Sequence, residues 1–259
     1  MEQKALIEEF FWGCEIHSVE KIRHAIEAGL SATELIGGRL PIDILIEMYT
    51  RSDRFGDCLT VLIEAGAQVS DQSLLAVLRD DPGSLQEEIS RDAGIVARRY
   101  NIPCAFIPLE GATLLHVAAE FGRRHCVPVL LEAGADPDAR AGTDAEGFGG
   151  QTPIFHTVNT HNNYCRPVMD ILLDAGASVD IHVKGLRWGL GMEWETLIPE
   201  VNPISYAMMG NLPQFHRDER QIADNIRALL RYKYGVDISI PNVPNAYVAR
   251  SKPSSDPDA

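Results

Sequence analysis

An all-α solenoid of about six helix-turn-helix units, interrupted near residues 182–201 by a β-hairpin, is the fold that the sequence predicts. Three observations predict it. A short phrase returns four times, as HAIEAG at 24–29, VLIEAG at 61–66, VLLEAG at 129–134 and ILLDAG at 171–176. Each copy carries apolar residues at helical spacing and ends on Ala-Gly, where glycine adopts the left-handed conformation that stops a helix. Upstream of the copies lie second segments that begin with a capping residue or Thr-Pro: ATLLHVAAEFG from Ala112, QTPIFHTVNTH from Gln151, NPISYAMMG from Asn202 and, more loosely, LPIDILIEMYT from Leu40. Threonine and asparagine offer an oxygen to free backbone amides, and proline fits the first helical position, which needs no amide hydrogen. The unit is therefore a cap, a short helix, a turn, a longer helix and a glycine stop.

The units run in order. The first spans 4–30, the second 39–69, the third, with the faintest pattern, 71–99, the fourth 111–140, the fifth 150–180 and the sixth 202–237. In the last, Ile222, Ile226, Leu229 and Leu230 share one stripe of a long second helix. Helical pairs of this kind bury their apolar faces only against neighbours, so residues 1–249 form one quasi-one-dimensional stack, and the polar, proline-containing 250–259 form a disordered tail.

The fourth and fifth units resemble the ankyrin repeat family, whose unit is about 33 residues with a T-P-L-H-x-A signature. Thr113-Leu114-Leu115-His116-Val117-Ala118-Ala119 leads to Val129-Leu130-Leu131-Glu132-Ala133-Gly134, and Thr152-Pro153-Ile154 leads to Leu172-Leu173-Asp174-Ala175-Gly176. Asp43, Phe155 and Ser205 stand where the signature histidine would be in other units. The resemblance implies that His116 holds its turn by hydrogen bonds to backbone, that loops between units form fingers along a concave surface, and that the chain binds another protein.

Bulk composition agrees with a folded chain of 259 residues, 45% hydrophobic and 23% charged. The 37 acidic against 23 basic side chains leave a formal charge of −14, which repels phosphate backbones and anionic lipid; neither nucleic acid nor a membrane is an expected partner. Cys14, Cys58, Cys104, Cys126 and Cys165 lie far apart, without a Cys-x-x-Cys, and read as buried free thiols. With acidic residues near the start and no apolar run of about 18 residues, the expectation is a cytoplasmic protein, monomeric in the absence of a sign to the contrary.

Three departures from the repeat length mark the functional loops: 97–110, the glycine-rich AGTDAEGFGG at 141–150, and 182–201. In the last, Val183, Leu186, Trp188, Met192, Trp194 and Leu197 surround Gly189-Leu190-Gly191, a hairpin pattern. Trp188 and Trp194 are candidate interface anchors, with Arg187 and Glu193 as polar contacts beside them. The alternative is that the two tryptophans pack on neighbouring helices. Asp144, Glu146 and Phe148 form an acidic finger whose spacing does not fit an EF-hand calcium loop. The candidate partner-binding residues are thus Asp144, Phe148, His156, Arg187, Trp188, Glu193 and Trp194.

Chemistry finds little support. No nucleophile elbow, GxGxxG or P-loop is present, and adjacent acids such as Glu8-Glu9, Asp80-Asp81 and Glu87-Glu88 point in different directions on a helix. Neither catalytic residues nor a cofactor are expected. His116, His125 and Cys126, and likewise His156, His161 and Cys165, are zinc-ligand types at spacings that match no standard site, and no metal is assigned. The reading is a non-enzymatic protein-interaction scaffold for an unidentified protein partner. Its alternatives are an inhibitor or immunity-type protein directing its acidic surface at a basic enzyme, and a weak metal-dependent activity around His156, His161 and Cys165.

Overall fold

The computed structural model describes residues 3–104, 106–191, 193–210, 218–235 and 237. The expected tail at 250–259, the end of the stack at 238–249 and Met192 lie outside the described residues.

Two helices build each of four units: α1 (Gln3–Glu15) with α2 (Val19–Glu27), α3 (Pro41–Glu47) with α4 (Phe55–Glu64), α5 (Gln72–Arg79) with α6 (Pro82–Arg91), and α7 (Leu114–Glu120) with α8 (Cys126–Glu132). The fifth unit has only α9 (Arg166–Asp174), and the sixth has α10 (Pro203–Met209) and α11 (Glu219–Tyr234). First helices touch first helices where α1 packs on α3 and α5 on α7, and second helices touch second helices where α2 packs on α4, α6 on α8 and α8 on α9; the second and third units join through α4 on α5. This produces a two-layered stack. One apolar cluster runs through it from Phe10 to Leu229, with the rings of Phe55, Phe121 and Phe155 fully buried along the way.

The repeated glycines close their helices in one way. Leu30, Ala67, Ala135 and Ala177 each donate their amide to a carbonyl five residues back, at 2.9–3.0 Å, and the glycine before each has φ between 88° and 109°. That bond satisfies a carbonyl the helix leaves orphaned, and only the left-handed glycine brings the amide to it. Elsewhere aspartates do the capping. Asp71 and Asp81 accept the amides of Leu74 and Ser84 at 3.0 Å to start α5 and α6, so the third unit, faintest in the sequence, is fully helical.

The fifth unit departs from expectation. The segment from Gln151 forms no first α-helix; it makes a 3-10 turn over Pro153–His156 and a second over His161–Asn163. Thr157, Val158, Asn159 and Thr160 are poor helix formers, and Asn162 and Asn163 take left-handed φ of 52° and 56°, so the first turn does not propagate. The Pro153–His156 turn nevertheless fills the place of a first helix, packed between α7 and α10.

The insertions contain the strands. Residues 97–110, not foreseen as a strand pair, yield β1 (Tyr100–Ile102), antiparallel to β2 (Leu109–Ala112). The expected hairpin is present as β3 (Val183–Trp188) and β4 (Thr196–Val201), with Trp188 opposite Thr196. Its connection runs over 189–195 rather than turning at Gly189-Leu190-Gly191 alone, so Trp194 sits in the loop and not on a strand. Among the described residues no helix is long and apolar enough to cross a membrane.

Candidate functional site

The three insertions meet along one edge of the stack. The Gly142 amide donates to the Glu110 carbonyl at 2.8 Å, the Gly149 amide to Gly185 at 2.9 Å and the Gly189 amide to Phe106 at 3.0 Å. Backbone bonds thus tie β2 to the 141–150 loop, that loop to β3, and the end of β3 back to the first insertion.

Arg187 is the electrostatic knot. Its Nε donates to Asp144 Oδ2 at 2.6 Å, Nη2 to Glu146 at 3.1 Å and Nη1 to Glu195 at 3.4 Å, and its guanidinium lies 5.2 Å from the centre of the Phe148 ring. Asp144 also accepts the Phe148 and Glu146 amides, and the Arg187 bond with these amides holds its carboxyl below the usual carboxylate range. Of the candidate partner-binding residues, Asp144, Phe148 and Arg187 are therefore engaged with one another, fastening the finger to the hairpin.

The two tryptophans divide the two readings of them. Trp188 is half-buried and stacked on Phe106, centroids 5.2 Å apart and planes 12° from parallel. Trp194 packs against Trp188 at 4.9 Å yet stays 42% exposed. Tyr49, after α3, continues the row at 6.2 Å from Phe106. Leu190 and Leu197 are exposed on the same hairpin, as is Glu193. Tyr49 and Phe106 belong to this surface without a local signal in the sequence; only the stacking of units brings position 49 beside position 106.

Behind the aromatic row lies a buried polar trio. Arg51 donates through Nη2 and Nε to Glu120 Oε1 at 2.8 and 3.1 Å, and His156 Nδ1 lies 2.9 Å from Glu120 Oε2. The three side chains are 4%, 6% and 0% exposed. Burial pushes Glu120 up, but the Arg51 charge and the His156 hydrogen bond outweigh it and keep the group below its ordinary value. With Glu120 ionised, His156 Nδ1 is the donor, and Nε2 is buried without a hydrogen-bond partner. A cavity of about 30 Å³ adjoins it, walled partly by Tyr49, Phe106 and Trp188, with room for a water-sized group. His156, expected to face the groove, lies beneath it.

His116 does what the resemblance implies. Its Nδ1 accepts the Thr113 amide at 3.1 Å and its Nε2 donates to the Gln151 carbonyl at 3.1 Å, tying one unit to the start of the next. Burial, and then the nearby His156, drive its pKa down from 6.5 to about 3.

The possible metal sets do not converge. The Cys165 thiol, pushed up to about 12 mainly by burial, donates to the Glu120 carbonyl at 3.5 Å. His125 caps with Asp80 at 2.7 Å while the Cys126 thiol donates to Ala76 O at 3.7 Å. Among the described residues no group of three or more His, Cys, Asp or Glu is placed to hold a metal ion. All five cysteines are free and four are buried; Cys104, expected buried, is only partly so and receives a contact from Arg51 at 3.6 Å.

Paired helices stacked in two layers, closed by glycine and carrying finger-like insertions on one edge, define a helical repeat protein. The family model described as Ankyrin repeat matches residues 110–141, which is the unit of α7, α8 and the His116 clasp. Over that one unit the chain is similar to an ankyrin repeat. Among solved structures it is similar to the human ASB11 ankyrin repeat domain, at 20% identity over 83% of this chain and 81% of that one, with a TM-score of 0.35. No curated protein matches the chain.

Proposed function

We propose that the chain is a non-enzymatic scaffold that binds a protein partner, a cytoplasmic, monomeric solenoid over residues 1–249 whose docking face is the edge formed by the three insertions. The observation that carries this is the row Tyr49, Phe106, Trp188, Trp194, with Trp194 and its neighbours Leu190 and Leu197 exposed. Aromatic side chains held rigid by packing lose little freedom on binding and bury much area, which is the profile of an interface hot spot. Asp144, Phe148 and Arg187 hold the face in shape, Glu193 and Trp194 present themselves on it, and Trp188 and His156 support it from below. The test is photo-crosslinking in extract of the native host, with a photoreactive residue at position 194 and a control at exposed Leu35, far along the chain. One discrete adduct from position 194 and none from 35 is expected; equal labelling from both, or a turnover activity of the pure protein lost on changing His156, overturns the proposal.

The formal charge of −14 favours a second reading within the same class: an inhibitor that covers a basic enzyme. The same crosslinking distinguishes it, since the adduct is then a basic enzyme whose activity falls on titration with this protein.

A further inference from the structure

The insertions enclose a cleft of about 310 Å³, separate from the aromatic row. Its walls are apolar: Ile107, Phe148, Leu186 and Leu190. Its charged groups are Glu110, Asp144 and Glu146, three carboxylates against the single guanidinium of Arg187. Asp144 and Glu146 share Arg187, which offsets one of their two charges, and Glu110, exposed near the start of β2, adds a further negative charge.

A second and independent feature points to a ligand. Gln151 lines the cleft and is 2% exposed. Its Nε2 donates to Pro108 O at 2.7 Å, which fixes the orientation of the amide and leaves Oε1 buried without a donor. A buried acceptor without a partner costs about 1 to 3 kcal/mol, so a donor arriving from outside is rewarded there.

We infer that this cleft receives a basic side chain, an arginine or lysine of the partner protein, its methylenes against Phe148, Leu186 and Leu190 and its cationic head hydrogen-bonded to Gln151 Oε1 and paired with Glu110. The inference rests on the scaffold reading and adds the chemistry of the partner. A metal ion is the poorer occupant: Ile107, Phe148, Leu186 and Leu190 line the wall, and no three metal-ligating side chains converge among the described residues. A basic side chain needs both kinds of wall, since its stem is apolar and its head carries several donors.

The test uses the full chain, isotopically labelled for NMR, with N-acetyl-arginine-amide as probe, N-acetyl-citrulline-amide as its neutral isostere and calcium chloride as a separate arm. Saturable shifts at 107–110, 142–151 and 186–190 are expected with the arginine probe, with the citrulline probe weaker by about tenfold for want of a charge-assisted bond. Gln151→Leu abolishes them without altering net charge, and Glu110→Gln, at an exposed position, weakens them several-fold in a chain of unchanged circular dichroism. Shifts that fail to saturate, that citrulline reproduces equally, that survive Gln151→Leu, or that calcium alone reproduces at lower concentration overturn the proposal; should Gln151→Leu not fold, undiminished binding by Glu110→Gln does so. Crosslinking at 194 without probe binding removes the cleft and leaves the scaffold, whereas probe binding without any crosslink removes the scaffold reading.

Discussion

Replacing Glu120 by glutamine keeps the shape of the side chain and removes the charge that holds the buried trio together. Arg51, 4% exposed, then keeps its guanidinium inside the stack among backbone carbonyls, the Cys104 thiol and the Phe121 ring, with no carboxylate left to balance it. Breaking a buried pair by removing one partner costs about 3 to 5 kcal/mol, because the remaining charge is desolvated and uncompensated. Glutamine still offers an oxygen to His156, so the lower figure, about 3 kcal/mol, is expected. With a urea slope of roughly 2 kcal/mol/M, that moves the unfolding midpoint down by about 1 to 2 M, a large part of the ~5–15 kcal/mol that holds a typical domain. Far-ultraviolet circular dichroism in urea reads it. The double variant Arg51→Met/Glu120→Gln removes both charges, and it recovers at least half of the loss, giving a coupling of about 1 to 3 kcal/mol in a double-mutant cycle. A loss below about 1 kcal/mol for Glu120→Gln, or single effects that simply add, refutes the reasoning: the pair would then be hydrated, and its charges worth no more than those of a surface bridge.

Further outcomes follow from other contacts. His17 and His116 are buried and held neutral, each with a pKa of about 3 in place of 6.5, by burial first and then by a neighbour, Arg51 for His17 and His156 for His116. The unfolded chain protonates both below pH 6.5 and the folded chain does not, so stability is full above that value and falls as pH drops toward 3; at pH 5 the loss is about 2 kcal/mol for each histidine, read by urea titration at a series of pH values. Gly189→Ala places a methyl group into the Trp194 ring at a φ of +71°, so tryptophan emission shifts red and crosslinking from position 194 declines while far-ultraviolet circular dichroism is unchanged. Asn225→Ala removes the buried amide that α11 donates to Val158 O at 3.1 Å, and it costs about 1 to 3 kcal/mol, visible as faster hydrogen exchange confined to 219–235.

Much of this molecule is written in short-range pattern, because the interactions that shape a helix end span few residues. The glycine closures at Gly29, Gly66, Gly134 and Gly176 were legible because each amide bond reaches back only five positions. The clasp of His116 was legible for the same reason at its Thr113 end, three residues away. The hairpin at 183–201 announced itself through two aromatic stretches flanking glycines, although the loop between its strands is longer than the glycines suggested.

What tertiary structure alone decided are the meetings at long separation. Arg51 and Glu120 lie 69 positions apart, and His156 is 36 from Glu120; no window on the sequence holds them together, and the trio exists because stacking brings the ends of successive units side by side. The aromatic row joins Tyr49, Phe106 and Trp188 in the same way. The acceptor of Gln151 is exceptional only because Pro108, 43 residues away, takes the other half of its amide. Strands of three and four residues, as in β1 and β2, are too short to display an alternation, and the 3-10 turn at Pro153–His156 keeps the place of a helix without its sequence period. The repeat itself was determined by the sequence, since hydrogen bonds near helix ends are local; the face it presents was decided by packing, since its residues meet only when the units have stacked.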